Sequence, residues 1–411
     1  MPQLFLFNPG HEMEIFCGKS HYTPPYLVQK MAADLEMLPV WYGGSGSFTI
    51  VRNPDATQFV ASLPKVFRSS FSSPMILNLM MKELYRRKKL GEKPKLPPLT
   101  ASIWGVSPRS IDSFKELKQA GMEIEIPEWK EEYVQLTHRR TAAVCLDLLQ
   151  KTIPIMPPIR LPEFCSEIKE IEDFISINIP PFVVKTPFSS SGRGHYWIDT
   201  KELDSRALSW IGGAIKKQNV VSIEPALNRV FDFAAEYYSD GKGQVQYVGL
   251  SIFETLSQGQ FVGCMLGTQE MLLQRLSEYI SPEDFMFLVE QIGHILNEVV
   301  GNIYTGYMGV DMFIYKTEDG NYAVHPFVEL NLRYTMGLVA MQLSRQFVHP
   351  NSQGMMRTVS FVYNAYEEHL RMREATPVVL ENNLIRSGYL SLCPVNPDTR
   401  YMAIINVFDN P

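Results

Sequence analysis

One stretch narrows the possibilities for this chain more than any other. Met308-Gly309-Val310-Asp311-Met312-Phe313-Ile314-Tyr315-Lys316 runs into Thr317-Glu318-Asp319-Gly320 and returns as Asn321-Tyr322-Ala323-Val324-His325-Pro326-Phe327-Val328-Glu329-Leu330-Asn331-Leu332-Arg333. This pattern predicts a β-hairpin. Side chains alternate faces along a strand, so Glu329, Asn331 and Arg333 share one face. A three-residue loop, Glu318-Asp319-Gly320 with the glycine left-handed, pairs Thr317 with Asn321. Asp311 then stands opposite Phe327, on the face of Glu329 and diagonal to it. A two-residue Asp319-Gly320 turn would send Asp311 to the other face, so a metal site here requires the longer loop. Two carboxylates and an amide oxygen beside Arg333 are hard oxygen ligands suited to Mg²⁺. The competing reading is a solvated sheet face. The apolar neighbours Met312, Phe327, Leu330 and Leu332 speak against it.

Two earlier segments carry related chemistry. Pro181-Phe182-Val183-Val184-Lys185-Thr186-Pro187-Phe188-Ser189-Ser190-Ser191-Gly192-Arg193-Gly194 is an apolar strand delivering one lysine to a Ser/Gly loop. Small residues let backbone N–H groups approach an anion, and the lysine supplies a point charge. The lysine precedes the glycines and no G-K-[ST] follows them, so this is not a Walker A loop. A plain hairpin loop is the alternative. Further on, Val220-Val221-Ser222-Ile223-Glu224-Pro225-Ala226-Leu227 is followed by Asp232. A strand ending in Glu-Pro beside an apolar pair suits a flat heterocycle, with a carboxylate for a sugar hydroxyl. A solvated acid at a strand end is the bland alternative.

The 411 residues suggest two or three domains. Residues 3–7, 40–42 and 101–106 read as strands; Leu27, Met31, Leu35 and Leu38 fall on one face of a helix, and residues 75–89 and Pro108 to Gln119 also read as helices, a rhythm that argues for a small parallel α/β domain. Residues 134–150 read as a helix, followed by Pro154, Pro157, Pro158 and Pro162. From Pro180 onward the strands lengthen, which predicts antiparallel sheets, interrupted by helices near 282–300 and 354–372. Ser387–Cys393 and Tyr401–Val407 read as strands. The 38 basic residues are scattered against 44 acidic ones, so nucleic acid is not an expected partner. Five cysteines without a C-x-x-C pair fit a reducing compartment. No apolar run approaches the ~18–20 residues that cross a bilayer, and the first residues carry no basic n-region. The expectation is a cytoplasmic protein with no membrane partner.

A lysine before a Ser/Gly loop, a strand-end Glu, then Asp and Glu-x-Asn on a hairpin, in that order, resembles the ATP-grasp superfamily over roughly residues 135–345. The resemblance implies a fold class of α/β plus α+β: a pre-ATP-grasp-like domain (1–133), an N-terminal ATP-grasp subdomain (134–230), a C-terminal one (231–375) and a strand-rich tail (376–411). It implies ATP and Mg²⁺ as cofactors. Lys185 is similar to the lysine that contacts the phosphates, and Ser189, Ser190, Ser191, Gly192 and Gly194 to the lid loop. Glu224 with the backbone of Ala226 and Leu227 resembles the adenine edge, Asp232 the ribose-binding acid, and Asp311, Glu329 and Asn331 the magnesium ligands. Arg333 resembles the arginine facing the transferred phosphoryl group. Thr137-His138-Arg139-Arg140 stands where the superfamily has an earlier phosphate-binding lysine, and Arg139 is the candidate replacement.

The implied activity is an ADP-forming ligase: ATP converts a carboxylate to an acyl phosphate, and an amine or thiol displaces phosphate. Small-molecule acids and acceptors are the partners. Asn8, His11, Glu12, Tyr22, Thr23 and Arg333 are candidates for the acceptor site, since α/β sheets place ligands at strand ends. Phosphoryl transfer to a hydroxyl and a non-catalytic nucleotide-binding module are the alternatives. Glu329→Gln and Lys185→Ala are expected to abolish turnover and leave unfolding nearly unchanged.

Overall fold

A computed structural model describes residues 1–153, 158–189, 194–256 and 259–409. Its contacts group the chain into two compact units: Met1–Lys130 with Gly263–Met271 and Arg333–Pro411, and Glu131–Val262 with Leu272–Leu332.

Among the described residues, the first unit opens with a parallel sheet of Gln3–Leu6 (β1), Phe48–Val51 (β2), Ser73–Ile76 (β3), Leu99–Ile103 (β4) and Ile124–Glu125 (β5), in the order β3-β2-β1-β4-β5. Leu4, Leu99, Ile103, Phe114 and Leu117 fill its core. The helix Pro108–Gln119 forms as its sequence directs. Ser107 accepts from Ser110 N at 3.1 Å in a capping box, and Pro108 fills the first turn. The expected strand at residues 40–42 is instead part of a helix, Leu38–Tyr42, and the strand comes at β2. Pro39 presets the first helical turn, and the β-branched Thr49-Ile50-Val51 follow a turn with Gly44 and Gly46 at positive φ. The helix Tyr26–Asp34 buries none of its own residues; Leu35 and Leu38, expected on its face, are buried beyond its end.

The second unit contains Glu163–Cys165 (β6), Phe182–Lys185 (β7), His195–Ile198 (β8) and Val221–Pro225 (β9), an antiparallel sheet in the order β6-β9-β7-β8. Helices Ile168–Ile177 and Ser205–Gln218 cover it through Ile171, Phe174 and Ile211. Then come Arg229–Asp240 (β10) and Val245–Thr255 (β11), and the chain leaves this unit within Phe261–Leu266 (β12). It returns for Thr305–Lys316 (β13) and Tyr322–Asn331 (β14). Strands β14, β13, β10 and β11 are neighbours in that order, all antiparallel. The helix Pro282–Val299 presents Phe285, Leu288, Val289, Ile292, Ile295 and Leu296 at helical spacing to this unit's core.

The remaining strands, Ser352–Ser360 (β15), Val379–Glu381 (β16), Leu384–Ser391 (β17) and Tyr401–Asp409 (β18), belong to the first unit, where β18 pairs antiparallel with both β15 and β17. The two tail strands expected from the sequence are β17 and β18. The last helix is Ala365–Ala375; residues 354–360, expected to begin it, form β15. Gly354 explains this: a Cβ there would run into the Asn406 backbone carbonyl of β18, so the residue is built for close strand approach. Gly354→Ala is expected to destabilise the protein by about 2 kcal/mol, read as a lower thermal unfolding midpoint.

Candidate functional site

The turn of the β13–β14 hairpin is the three-residue loop. Thr317 N donates to Asn321 O at 2.9 Å, and Gly320 is left-handed with φ +87°. The ladder runs regularly from Lys316↔Tyr322 to Phe313↔His325, then shifts, so that Asp311 pairs directly with Glu329 and Gly309 with Asn331. The expected partner of Asp311, Phe327, is thereby corrected. Pro326 lies in the shifted segment, and a residue without an N–H cannot hold a regular ladder. The shift spans two residues, so the face is preserved.

Register carries that face onto β10. Ala234 pairs with Asp311, Asp232 with Phe313 and Glu236 with Gly309. Asp232, Asp311, Glu329 and Asn331 therefore share one face, with Glu236 and His325 beside them. Glu236 is almost fully buried and accepts from Ser251 Oγ at 3.0 Å. Sequence reasoning passed over Glu236 because only the pairing reveals its face. Asp232 accepts from Thr255 Oγ1 at 2.7 Å and has Arg229 Nη1 at 3.5 Å; burial raises its pKa against that arginine. Among the described residues no three His, Cys, Asp or Glu side chains gather as a metal cage. A metal on this face would rest on Asp311, Glu329 and Asn331 with oxygens from outside the chain, a hard donor set that fits Mg²⁺.

The cations come from the small sheet and from the residue ahead of the helix Arg140–Thr152. Lys185 ends β7 buried and pairs with Glu224 of β9. Burial alone would raise the Glu224 pKa, but Lys185, His325 and Arg139 together hold it below the ordinary value. Arg139, just before the helix Arg140–Thr152, turns inward. Its Nε donates to Thr186 O at 2.9 Å and its Nη2 to Ser189 Oγ at 3.1 Å, with His195 Nε2 and Glu329 Oε1 each at 3.3 Å. Its Nη1 is sealed from solvent and, among the described residues, meets no hydrogen-bond partner. Arg140 is exposed and lies over the Phe164 ring at 4.4 Å. Arg139, Lys185, Ser222, Glu224 and His325 line one pocket, whose apolar wall includes Leu146, Phe164 and Phe327.

Of the expected lid loop, Ser189 binds Arg139. Gly194 O accepts from Thr186 N at 2.9 Å, and a Cβ on Gly194 would strike the Thr186 and Ser189 side chains. Ser190, Ser191 and Gly192 lie outside the described residues. Ala226 N donates to Pro181 O, and Leu227 O accepts from Arg229 N. The alternation argument for Arg333 fails, because β14 ends at Asn331. Arg333 belongs to the first unit, where its Nε donates to Glu12 Oε1 at 2.9 Å. Glu12 is buried, which raises its pKa, yet His11 and Arg333 hold it far below the carboxylate range. Asn8 ties the ends of β1 and β4 together through Gly105 N and O, and His11 packs buried against Gly105. Tyr22 is half-buried and Thr23 exposed.

Burial pushes the His325 pKa down to about 4; Glu224 opposes this and Lys185 adds to it. His138 is likewise pushed to about 4 by burial and then by Arg140 and Arg139. The unfolded chain thus binds more protons between about pH 6.5 and pH 4, and stability falls as pH drops through that window. Replacing His325 with phenylalanine is expected to flatten this acid limb in pH-dependent thermal melts, by an amount on the order of 3 kcal/mol at pH 4.

No protein-family model matches the chain, and no curated protein matches it in sequence. Solved structures do match. Biotin carboxylase from Campylobacter jejuni, in complex with β-γ-ATP, is 10% identical over 100% of this chain and 88% of that chain, with a TM-score of 0.53. The biotin carboxylase domain of Hydrogenobacter thermophilus 2-oxoglutarate carboxylase, with MgADP, ADP and bicarbonate, is 11% identical over 100% and 87%, TM-score 0.51. N5-carboxyaminoimidazole synthetase from Staphylococcus aureus is 13% identical over 100% and 93%, TM-score 0.50. The chain has the ATP-grasp fold, with a parallel α/β sheet ahead of antiparallel sheets.

Proposed function

We propose that this ATP-grasp chain is an ADP-forming, magnesium-dependent ligase that activates a carboxylate as an acyl phosphate and passes it to an amine or thiol. The observation that carries the reading is Arg139: a buried guanidinium with an N–H left unsatisfied among the described residues, in one pocket with Lys185 and on Glu329 of the acidic sheet face. An unpaired buried charge-bearing donor is costly, and a phosphate oxygen would satisfy it. The fold is shared with proteins solved with β-γ-ATP and with MgADP and bicarbonate, which supports the same ligand class here.

In this reading the apolar wall with Phe164 and Phe327 takes the base. Glu224, the Ala226 carbonyl and the Leu227 N–H face its edge, and Asp232 serves the ribose. Lys185 and Arg139 hold the phosphates, with Ser189 beside Arg139. Asp311, Glu329 and Asn331 would hold Mg²⁺, which when bound neutralises phosphate charge. A substrate carboxylate oxygen attacks the γ-phosphorus as the bond to ADP breaks. The amine or thiol then attacks the acyl carbon, phosphate leaves with the bonding pair, and the acceptor loses its proton. Placement and charge neutralisation, rather than a nucleophilic side chain, drive this chemistry. In the first unit, Arg333 is anchored on Glu12, and Asn8, His11 and Glu12 are the proposed acceptor-side groups. Domain boundaries after 133, 230 and 375 and a cytoplasmic setting go with this reading; no helix among the described residues is long and apolar enough to cross a membrane.

The test incubates the chain with MgATP and panels of small carboxylates, amines and thiols, and follows ADP, phosphate and condensed product. ADP, phosphate and a condensed product together support the ligase. ADP with a phosphorylated product would make it a kinase, and no Mg²⁺-dependent ADP release with any pair would overturn the reading. Arg139→Met is expected to raise the KM for ATP about 30-fold or more, whereas Arg140→Ala leaves it within about twofold, since only Arg139 turns inward. Steady-state kinetics separate the two.

A further inference from the structure

Among its described lining residues the pocket has one histidine, and the proposed chemistry gives it no part. His325 lines the same pocket as Lys185, Glu224 and Arg139, is 8% exposed, and packs its ring on Phe313 at 4.9 Å between centroids. Its Nδ1 is sealed from solvent and, among the described residues, has no hydrogen-bond partner. A buried polar atom left unsatisfied costs free energy and is retained where a ligand completes it. The other polar groups of the pocket divide by charge. Lys185 and Arg139 suit phosphate oxygens, and the Glu224 carboxylate accepts only from donors. Ser222 Oγ sits at 3.5 Å from Lys185 O. A buried imidazole beside two cations is disfavoured in its charged form, as the direction of its pKa also indicates. It is therefore a poor third phosphate ligand and a good neutral donor–acceptor.

Building on the nucleotide reading, we propose that His325 is a specificity-determining residue that hydrogen-bonds the base or sugar of the bound nucleotide, so that the pocket selects a nucleoside polyphosphate over bare polyphosphate. The placement supports this division of labour. His325 sits in the Asp232–Phe313–His325 row, one row removed from Asp311 and Glu329 and alongside the acid assigned to the ribose. Phe327, two residues along β14, belongs to the pocket's apolar wall.

The experiment measures binding of MgADP and of inorganic tripolyphosphate with Mg²⁺ to the full chain by calorimetry, for the unaltered protein, His325→Phe and His325→Asn. Phenylalanine keeps a ring against Phe313 and removes both nitrogens; asparagine restores a neutral donor–acceptor. The expected result is an ADP affinity about tenfold weaker in His325→Phe, tripolyphosphate affinity unchanged, and His325→Asn within about threefold of the unaltered protein for both. Equal ADP affinity in His325→Phe would overturn the proposal, as would an equal loss for ADP and tripolyphosphate. Should His325→Phe not fold, His325→Leu carries the same two outcomes. If the unaltered chain binds no ADP, the nucleotide reading and this proposal fall together. If it binds ADP and His325→Phe matches it, only the role of His325 falls.

Discussion

Lys185→Met is expected to reduce ATP-dependent turnover about 10³-fold and to lower the thermal unfolding midpoint at the same time. The first effect follows from the role proposed for Lys185: the substitution removes a buried positive charge that would meet the phosphates, where charge develops in the transition state. The second follows from what Lys185 touches in the structure. Its ammonium pairs with Glu224, and both groups are largely withdrawn from solvent. Breaking a buried pair by deleting one partner strands the other, at about 3 kcal/mol. The sequence alone implied that a lysine variant would melt like the parent; the pairing with Glu224 replaces that expectation. The double variant Lys185→Met/Glu224→Gln should recover most of the stability and none of the turnover. The pH dependence has a definite sign. Lys185 helps hold Glu224 below its ordinary value of 4.5, so the stability from this pair is present above about that pH and lost as pH falls through the lower, folded value. Kinetics and calorimetry on the two variants, at pH 7 and in acid, check all three statements.

Glu329→Gln is expected to abolish turnover to a similar degree, about 10³-fold, while shifting the unfolding midpoint by no more than about 2 °C. Glu329 is less buried than Lys185 or Arg139, with its side chain 23% exposed. Its partner Arg139 keeps Thr186 O and Ser189 Oγ when the carboxylate is gone. The two variants thus separate function from folding in opposite ways, one losing both and the other only function. Full turnover in Glu329→Gln would remove it from the metal set; an unchanged midpoint in Lys185→Met would mean that the pair contributes nothing to the fold.

Much of this was legible in the sequence where local chemistry decides structure. The hairpin loop follows from Gly320 three residues after Thr317, and the helix Pro108–Gln119 from Ser107 and Pro108. What was not legible depends on partners distant in the chain. Asp311 meets Glu329 rather than Phe327 because the ladder shifts around Pro326, and alternation along one strand cannot count a shift between two. Gly354 looks like a helix opener until Asn406 is found against it. The residues at 40–42 are apolar enough for a strand, yet Pro39 starts a helix there. Arg333 continues the numerical alternation of Glu329 and Asn331, but the strand stops two residues before it. Glu236 and His325 carry no motif of their own; only the register puts them beside the acids.

In the proposed function, Arg139 and Lys185 join with Asp311, Glu329 and Asn331 to hold a metal-chelated nucleotide. The most direct measurement is a crystal structure of the full chain grown with Mg²⁺ and a non-hydrolysable ATP analogue. The expected density is a base against Phe164 and Phe327 beside Glu224, a metal on Asp311, Glu329 and Asn331, and Arg139 moved from Glu329 onto a phosphate oxygen. A well-ordered crystal at saturating analogue with that pocket empty and Arg139 still on Glu329 would contradict it.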